Sequence, residues 1–311
     1  MKGNFRIKIL DLKRKPVKLS VVIVSYNVKQ LLKNCLSSVE NAIAEAAVSA
    51  EVIVVDNHSA DNSVADLSAQ FPRVRFIANN ENRGFAAACN QGLAVSSGSS
   101  ILFLNPDTVI NGESLSGCIS FLEKNKEAGA VGVRMINEKA EYLKESKRGF
   151  PSPAASFFRL FGFSALFPRS KVFARYYLGH LDEKGVYEVD VLSGAFMMIN
   201  KEALEKTGGF DERFFMYGED IDLSYRLQQA GYRNYYLGGH TITHLKGKST
   251  NKGELKYVKR FYKAMQIFAE KHFRNKSIVY FWILRMGIFL RMLLAVPAAM
   301  VRRIAGRGND E

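Results

Sequence analysis

The sequence predicts an α/β protein: a doubly wound, mainly parallel sheet flanked by helices, followed by apolar, basic helices at the C-terminal end. Two observations predict it. From residue 19 to 136, short β-branched runs alternate with stretches of helical periodicity, the rhythm of crossover units that lay strands parallel. The runs are also apolar at successive positions, as strands covered on both faces are. The 311 residues, 47% apolar and 24% charged, exclude a wholly disordered chain, and seven prolines with 24 glycines exclude a collagen-like one.

Leu19–Ser25 (LSVVIVS) is the first strand. After Tyr26-Asn27, apolar residues at Val28, Leu31, Leu32, Cys35, Leu36 and Val39 mark an amphipathic helix. Glu51–Val55 is the second strand and ends in Asp56-Asn57; Ser59 or Asp61 can cap a helix reaching about Gln70. Val74–Ala78 is the third strand, Gly84–Val95 an alanine-rich helix, and Ser100–Leu104 the fourth strand, ending in Asn105-Pro106-Asp107. A helix over Glu113–Lys126 and a strand over Ala128–Met135 follow. Val186–Ile199 reads as a strand region broken at Ser193-Gly194-Ala195, where glycine permits close approach of backbone to ligand. Glu219, Asp220 and Asp222 open a helix that Gly231 closes after Ala230, and Tyr232–Leu237 is the last strand.

In such sheets ligands bind beyond the carboxyl ends of the strands. Ser25-Tyr26-Asn27, Asp56-Asn57 and Asn105-Pro106-Asp107 all fall there, and three polar strand ends together favour a binding crevice over turn chemistry alone. The first turn lacks Gly-x-Gly-x-x-Gly and the chain has no phosphate-loop motif in strand-to-helix context, so phosphates need another neutralising group. A divalent metal serves, with Asp107 its best-placed first ligand. The acids at 219–222 suit either helix capping or a base whose proton affinity is raised by its neighbours. His244 follows a strand and precedes a basic loop, which lifts it only slightly above a structural histidine.

Charge is uneven. Residues 1–20 carry net +6 and residues 246–311 net +11, leaving −3 for the body out of a total of +14. That is not the footprint of a nucleic-acid-binding face; basic ends beside apolar segments suit an anionic membrane surface. Two segments fit that description. One is Phe150–Leu178, with Phe157, Phe158, Leu160, Phe161, Phe163, Leu166 and Phe167 among Arg159, Arg169, Lys171 and Arg175; packing on the sheet is the alternative. The other is Ile278–Val301, interrupted by Arg285 and Arg291, expected as an interfacial helix in preference to a spanning or soluble one. Met1–Ser20 leads into only four apolar residues, so no signal peptide is expected. Three cysteines, Cys35, Cys89 and Cys118, make no disulfide framework and suit a reducing cytosol.

Six segments together resemble the inverting nucleotide-sugar glycosyltransferases of family 2, which have the GT-A fold, and among them the rhamnosyltransferase-like members. They are VVIVSYN (21–27), VVDNHSADNS (54–63), NNENRGFAAACNQG (79–92), LFLNPD (102–107), SGAFMMI (193–199) and GGFDERFFMYGEDIDLSYR (208–226). The resemblance implies that Tyr26, Asn27 and Asp56 hold the nucleoside, with Ser25 and Asn57 beside them, and that Arg83, Gly84, Phe85 and Asn90 line the donor pocket. It implies a Mg²⁺ or Mn²⁺ site at Asp107, completed by His244, and a catalytic base at Asp220; Glu219 and Asp222, beside that base, are expected as catalytic partners that orient the acceptor. Asn105 stands where the family's metal motif has its first aspartate, so that motif brings one carboxylate. The Gln-x-x-Arg-Trp motif of processive synthases is absent, which favours transfer of one sugar per encounter.

The expected organisation is a basic segment at 1–18, a glycosyltransferase domain at 19–245 and a membrane-associating tail at 246–311. Within the domain lie a nucleotide-sugar half at 19–136, an apolar, basic insertion at 137–185 and an acceptor half at 186–245. The expected activity is metal-dependent, inverting transfer of one sugar, rhamnose among the candidates. It runs from a nucleotide-diphosphate sugar to a glycan or lipid-linked saccharide on the cytoplasmic face of the membrane, for cell-surface polysaccharide synthesis. The rivals are a non-catalytic nucleotide-sugar-binding scaffold and, further off, a nucleotidyltransferase, whose glycine- and arginine-rich loop is missing.

Overall fold

The structure, a computed structural model, describes residues 16–152, 154–155, 158, 162–245, 255–275 and 277–307. The first half runs β1 (Leu19–Ser25), α1 (Lys29–Glu45), β2 (Ala50–Asp56), α2 (Ser63–Gln70), β3 (Val74–Ala78), α3 (Phe85–Ala94), β4 (Ser100–Leu104), β5 (Thr108–Val109), α4 (Gly112–Lys124) and β6 (Ala128–Ile136). Then come β7 (Lys147–Arg148), a single turn α5 (Phe163–Leu166), β8 (Val186–Val189), β9 (Val191–Leu192) and β10 (Phe196–Asn200). The chain goes on through α6 (Lys201–Thr207), α7 (Glu219–Gln229), β11 (Arg233–His244), α8 (Leu255–Phe273) and α9 (Ile278–Arg307).

The strands order β3-β2-β1-β4-β10-β6-β11-β5, with β8 also on β11. β1 is parallel to β2 and β4, β2 to β3, and β6 to β11, while β10 runs antiparallel between β4 and β6. All seven residues of β1 are buried because both faces are covered. Val21 and Ile23 pack with Leu36 and Val39 of α1 and Leu115 of α4; Val22 and Val24 pack with Ala88 of α3 and Leu223 of α7. Alternate side chains of one strand thus feed two cores, which is what doubly wound means.

Two elements differ from the sequence expectation. The last strand continues past Leu237 to His244, because a bulge between Leu237 and Thr241 takes up Gly238 and Gly239 and lets pairing with β6 resume. The region expected as a tail begins with a helix built into the domain: Ala264 and Phe268 of α8 share a core with Phe214, Val191 and Ile221. Among the described elements, α9 stands out from the body. It packs on α8, where Tyr262 Oη donates to the Arg291 carbonyl at 3.3 Å, and its span Ile278–Pro297 is long and apolar enough to cross a membrane by length and composition alone.

Candidate active site

The turns at the carboxyl ends of β1, β2 and β3 are stitched to one another. Ser25 is buried and lies level with Asp56, which lies level with Ala78. Asn27 adopts a left-handed backbone (φ 54°); its amide donates to Ser59 Oγ (2.8 Å) and its Oδ1 accepts from the Ala60 amide (2.7 Å). Asp56, 3% exposed, accepts from the Ser59 amide (2.8 Å) and hydroxyl (2.5 Å). Beside them is an open recess reached by Asp56, Ser59, Ser63 and Asn79. Tyr26 is 49% exposed.

Asn57 fixes the next loop. Its Nδ2 donates to the Gly84 carbonyl (3.0 Å) and its Oδ1 accepts from the Arg83 amide (3.1 Å), which leaves Arg83 at the exposed rim. Gly84 has φ 88°, and a Cβ there would lie 2.6 Å from the Phe215 carbonyl, so the position requires glycine. Phe85 donates its amide to that same carbonyl at 2.7 Å, docking α3 onto the 210–218 loop. Asn90, expected to line the donor pocket, spends its amide elsewhere. It donates to the Phe210 carbonyl (2.8 Å) and Glu212 (2.9 Å) and accepts from the Phe210 amide (2.8 Å), so it clamps the loop that precedes α7.

Asp107 and His244 meet. The Leu245 amide donates to the Asp107 carbonyl at 2.8 Å, and His244 pairs with Thr108 across β11 and β5. This brings His244 Nε2 to 3.2 Å from Asp107 Oδ1, with Asp107 2% and His244 8% exposed. The pair offers one oxygen and one nitrogen donor. Among the described residues no third histidine, cysteine or acid joins it into a protein-only metal site. Magnesium- and manganese-type ions need only one or two carboxylates when phosphate oxygens and water fill the remaining positions, so the residues present fit such an ion. The basic loop expected after His244 lies outside the described residues.

The acids of α7 separate into three environments. Asp220 Oδ1 accepts from the Ile221 amide (2.8 Å), and Oδ2 from the Gly194 amide (3.2 Å) and from Arg148 Nη2 (2.5 Å). Its side chain is 14% exposed, which leaves an open side. Glu219 is buried; burial first and the neighbouring Asp220 charge second push its carboxyl well above the ordinary carboxylate range. Asp222, expected beside the acceptor, has no exposed surface. Arg226 (2.7 Å), Lys271 (2.8 Å) and His272 (2.7 Å) surround it, the last two from α8.

Backbone hydrogen bonds join these pieces into one edge. The Asn105 amide donates to the Ala195 carbonyl at 3.0 Å, so Asn105-Pro106-Asp107 lies against Ser193-Gly194-Ala195, whose Gly194 touches Asp220. Sequence reasoning missed Arg148. It stands on a two-residue strand paired with β9, and nothing local announces that its guanidinium reaches a carboxylate 72 positions on.

The profile described as Glycosyl transferase family 2 matches residues 20–208, and that described as N-terminal domain of galactosyltransferase matches residues 180–260. An N-acetylglucosaminyl-diphospho-decaprenol L-rhamnosyltransferase of Mycobacterium tuberculosis is 29% identical over 300 residues, 91% of this chain and 94% of the relative. Among solved structures, the mannosyltransferase PcManGT of Pyrobaculum calidifontis, in complex with GDP-Man and Mn²⁺, superposes with a TM-score of 0.57 at 18% identity. That match covers 94% of this chain and 75% of that one. S. aureus TarS 1–349 in complex with UDP gives 0.54 at 18% identity, over 82% of this chain and 65% of that one. With its family profile spanning well over half of its length and its sheet that of the GT-A glycosyltransferases, the chain belongs to glycosyl transferase family 2 and is a glycosyltransferase.

Proposed function

We propose that this glycosyltransferase moves a single sugar, L-rhamnose being the candidate, from a nucleoside-diphosphate donor to a hydroxyl of a polyprenyl-diphosphate-linked saccharide, with inversion. The observation that carries the reading is the meeting of the Asp107–His244 pair and the Asp220 carboxylate along one edge, through Asn105, Ala195 and Gly194. The similarity to a rhamnosyltransferase over nearly the full length of both chains supports the choice of sugar and acceptor.

The nucleoside lies against Tyr26 and the recess that Asn27, Asp56 and Ser59 shape, and Arg83, Gly84 and Phe85 border the donor. Asp107 and His244 would hold a Mg²⁺ or Mn²⁺ ion, whose chemistry there is to neutralise charge on the leaving diphosphate. Asp220 takes the proton of the acceptor hydroxyl as its oxygen bonds to the anomeric carbon on the face opposite the diphosphate; the bond to the diphosphate breaks with its electron pair. Burial of Glu219 beside it disfavours a second negative charge there. Asp222 serves the fold instead of the acceptor, since all its surface is covered.

The purified chain, given polyprenyl-diphospho-N-acetylglucosamine and a panel of nucleoside-diphosphate sugars that includes rhamnose donors, is expected to transfer from one of them. Neither transfer nor donor hydrolysis with any donor would favour a non-catalytic scaffold. Asp107→Ala is expected to abolish the tightening of nucleoside-diphosphate binding by Mn²⁺ or Mg²⁺, measured by calorimetry. His244→Ala should weaken it less, because water can fill a vacated position. Full activity in excess chelator would overturn both.

The acceptor's lipid places the work at a membrane. Along α9, Val279, Trp282, Ile283, Met286, Phe289, Leu290 and Leu293 form one stripe and are each at least half exposed, with Arg285 against the Trp282 ring (5.5 Å). Leu166, Phe167 and Val172 near α5 are exposed as well; Phe157, Arg159, Leu160 and Phe161 lie outside the described residues. Two weak anchors act together through high effective concentration. Removing residues 277–311 is expected to weaken binding to anionic liposomes at least ~10-fold and to lower transfer to a lipid-linked acceptor. Donor hydrolysis should change far less, because every site residue lies before position 246. Equal liposome binding with and without the segment would defeat the anchor.

A further inference from the structure

We propose that Arg148 is a positioning residue for transfer: it fixes the Asp220 carboxylate from the β7–β9 ribbon, so that the base is held by two elements other than its own helix. The inference rests on the reading of Asp220 as the base.

A carboxylate in the first turn of a helix ordinarily folds back onto the free amides there. Asp220 does so with one oxygen only, Oδ1 on the Ile221 amide. The other oxygen is drawn across a gap between elements. The Gly194 amide donates to it from the turn between β9 and β10, and Arg148 Nη2 donates to it from β7. The same nitrogen donates to the Leu192 carbonyl at 2.8 Å, and Arg148 pairs with Val191 across the ribbon, so the guanidinium is itself fixed at its base and its tip. A single bond to the helix would leave the carboxylate free to swing; three bonds from three elements define where its open lone pairs point.

The pairing is also electrostatic. The Arg148 and Asp220 side chains are only 12% and 14% exposed, so water screens their attraction weakly. The groups that face this pair are Glu219 from the same helix turn and Tyr176 from the turn after α5, whose side chain lies against the guanidinium. Arg148 touches Asp220 and not Glu219, so its charge acts most directly on the carboxylate read as the base. Arginine suits the task because its planar fork stays charged and serves two acceptors at fixed angles.

Arg148→Gln and Arg148→Lys in the full chain test this, with kcat and KM measured separately for donor and acceptor. Arg148→Gln is expected to lower kcat about 10²-fold with donor KM within about twofold. Arg148→Lys should recover at least ~10-fold of the lost kcat, because it restores the charge without the fork. Thermal melting and binding of the nucleoside diphosphate report folding; if the glutamine variant does not fold, the lysine variant's kcat loss at unchanged donor KM carries the test alone. An unchanged kcat would overturn the inference, as would a loss confined to acceptor KM, which would make Arg148 an acceptor contact. If Asp220→Asn also transfers normally, the base assignment has failed; if only the Arg148 variants do, that assignment stands and the positioning role falls.

Discussion

Replacing Asp220 with asparagine is expected to lower sugar transfer at least ~10²-fold while donor affinity stays near that of the unaltered chain. Asparagine keeps the size of the side chain and an oxygen that Arg148 and the Gly194 amide can still address. It cannot take a proton. The hydrogen bonds of Asp56, Asn57 and Gly84, proposed to face the donor, are made by other elements and should not notice the change. Steady-state transfer beside calorimetric donor binding measures both halves. Transfer within threefold of wild type would move the base to Glu219.

Asp222→Ala is expected to cost about 3–5 kcal/mol of stability, because it strands three cationic or ionisable groups that converge on a carboxylate with no exposed surface. The melting temperature should fall by roughly 10 °C. Burial opposes the charge on Asp222, but His272, Arg226 and Lys271 outweigh it and hold the carboxyl below its ordinary value of 3.8. A group depressed in the folded state contributes stability that is present above its unfolded value and lost as pH falls through the folded one. Unfolding followed against pH should therefore show the gap between wild type and Asp222→Ala narrowing below about pH 4. A gap of under ~1 kcal/mol at pH 7 would mean that the ion cluster is solvated in practice.

Much of this was legible because it is local. Apolar runs such as Leu19–Ser25 and the spacing of Leu32, Cys35, Leu36 and Val39 declare strand and helix directly. The polar strand ends place Asp56 and Asp107 at the carboxyl edge of the sheet by topology alone. What escaped depends on distant pairing. The antiparallel sense of β10 is invisible in FMMIN, since a strand's periodicity is the same in both directions. Asn90 reads as a pocket residue until its amide is seen closing on Phe210. The basic residues of α8 look like lipid-facing charge, yet Lys271 and His272 point at Asp222 and Asp211. A sequence states that a residue is charged and not what will face it.

The place of β10 in the sheet has a consequence for how the chain is made. It fills the slot between β4 and β6, and it is synthesised after both. On a ribosome adding ~5–20 residues per second, the first six strands emerge on the order of 3–13 s before the strand that joins them. Through that interval β4 and β6 each present an unpaired edge of apolar sequence, the kind of surface that invites pairing with another nascent chain. The stretch that carries the donor-side residues therefore cannot close its sheet by itself. A fragment ending after β6 would lack the strand that joins β4 to β6.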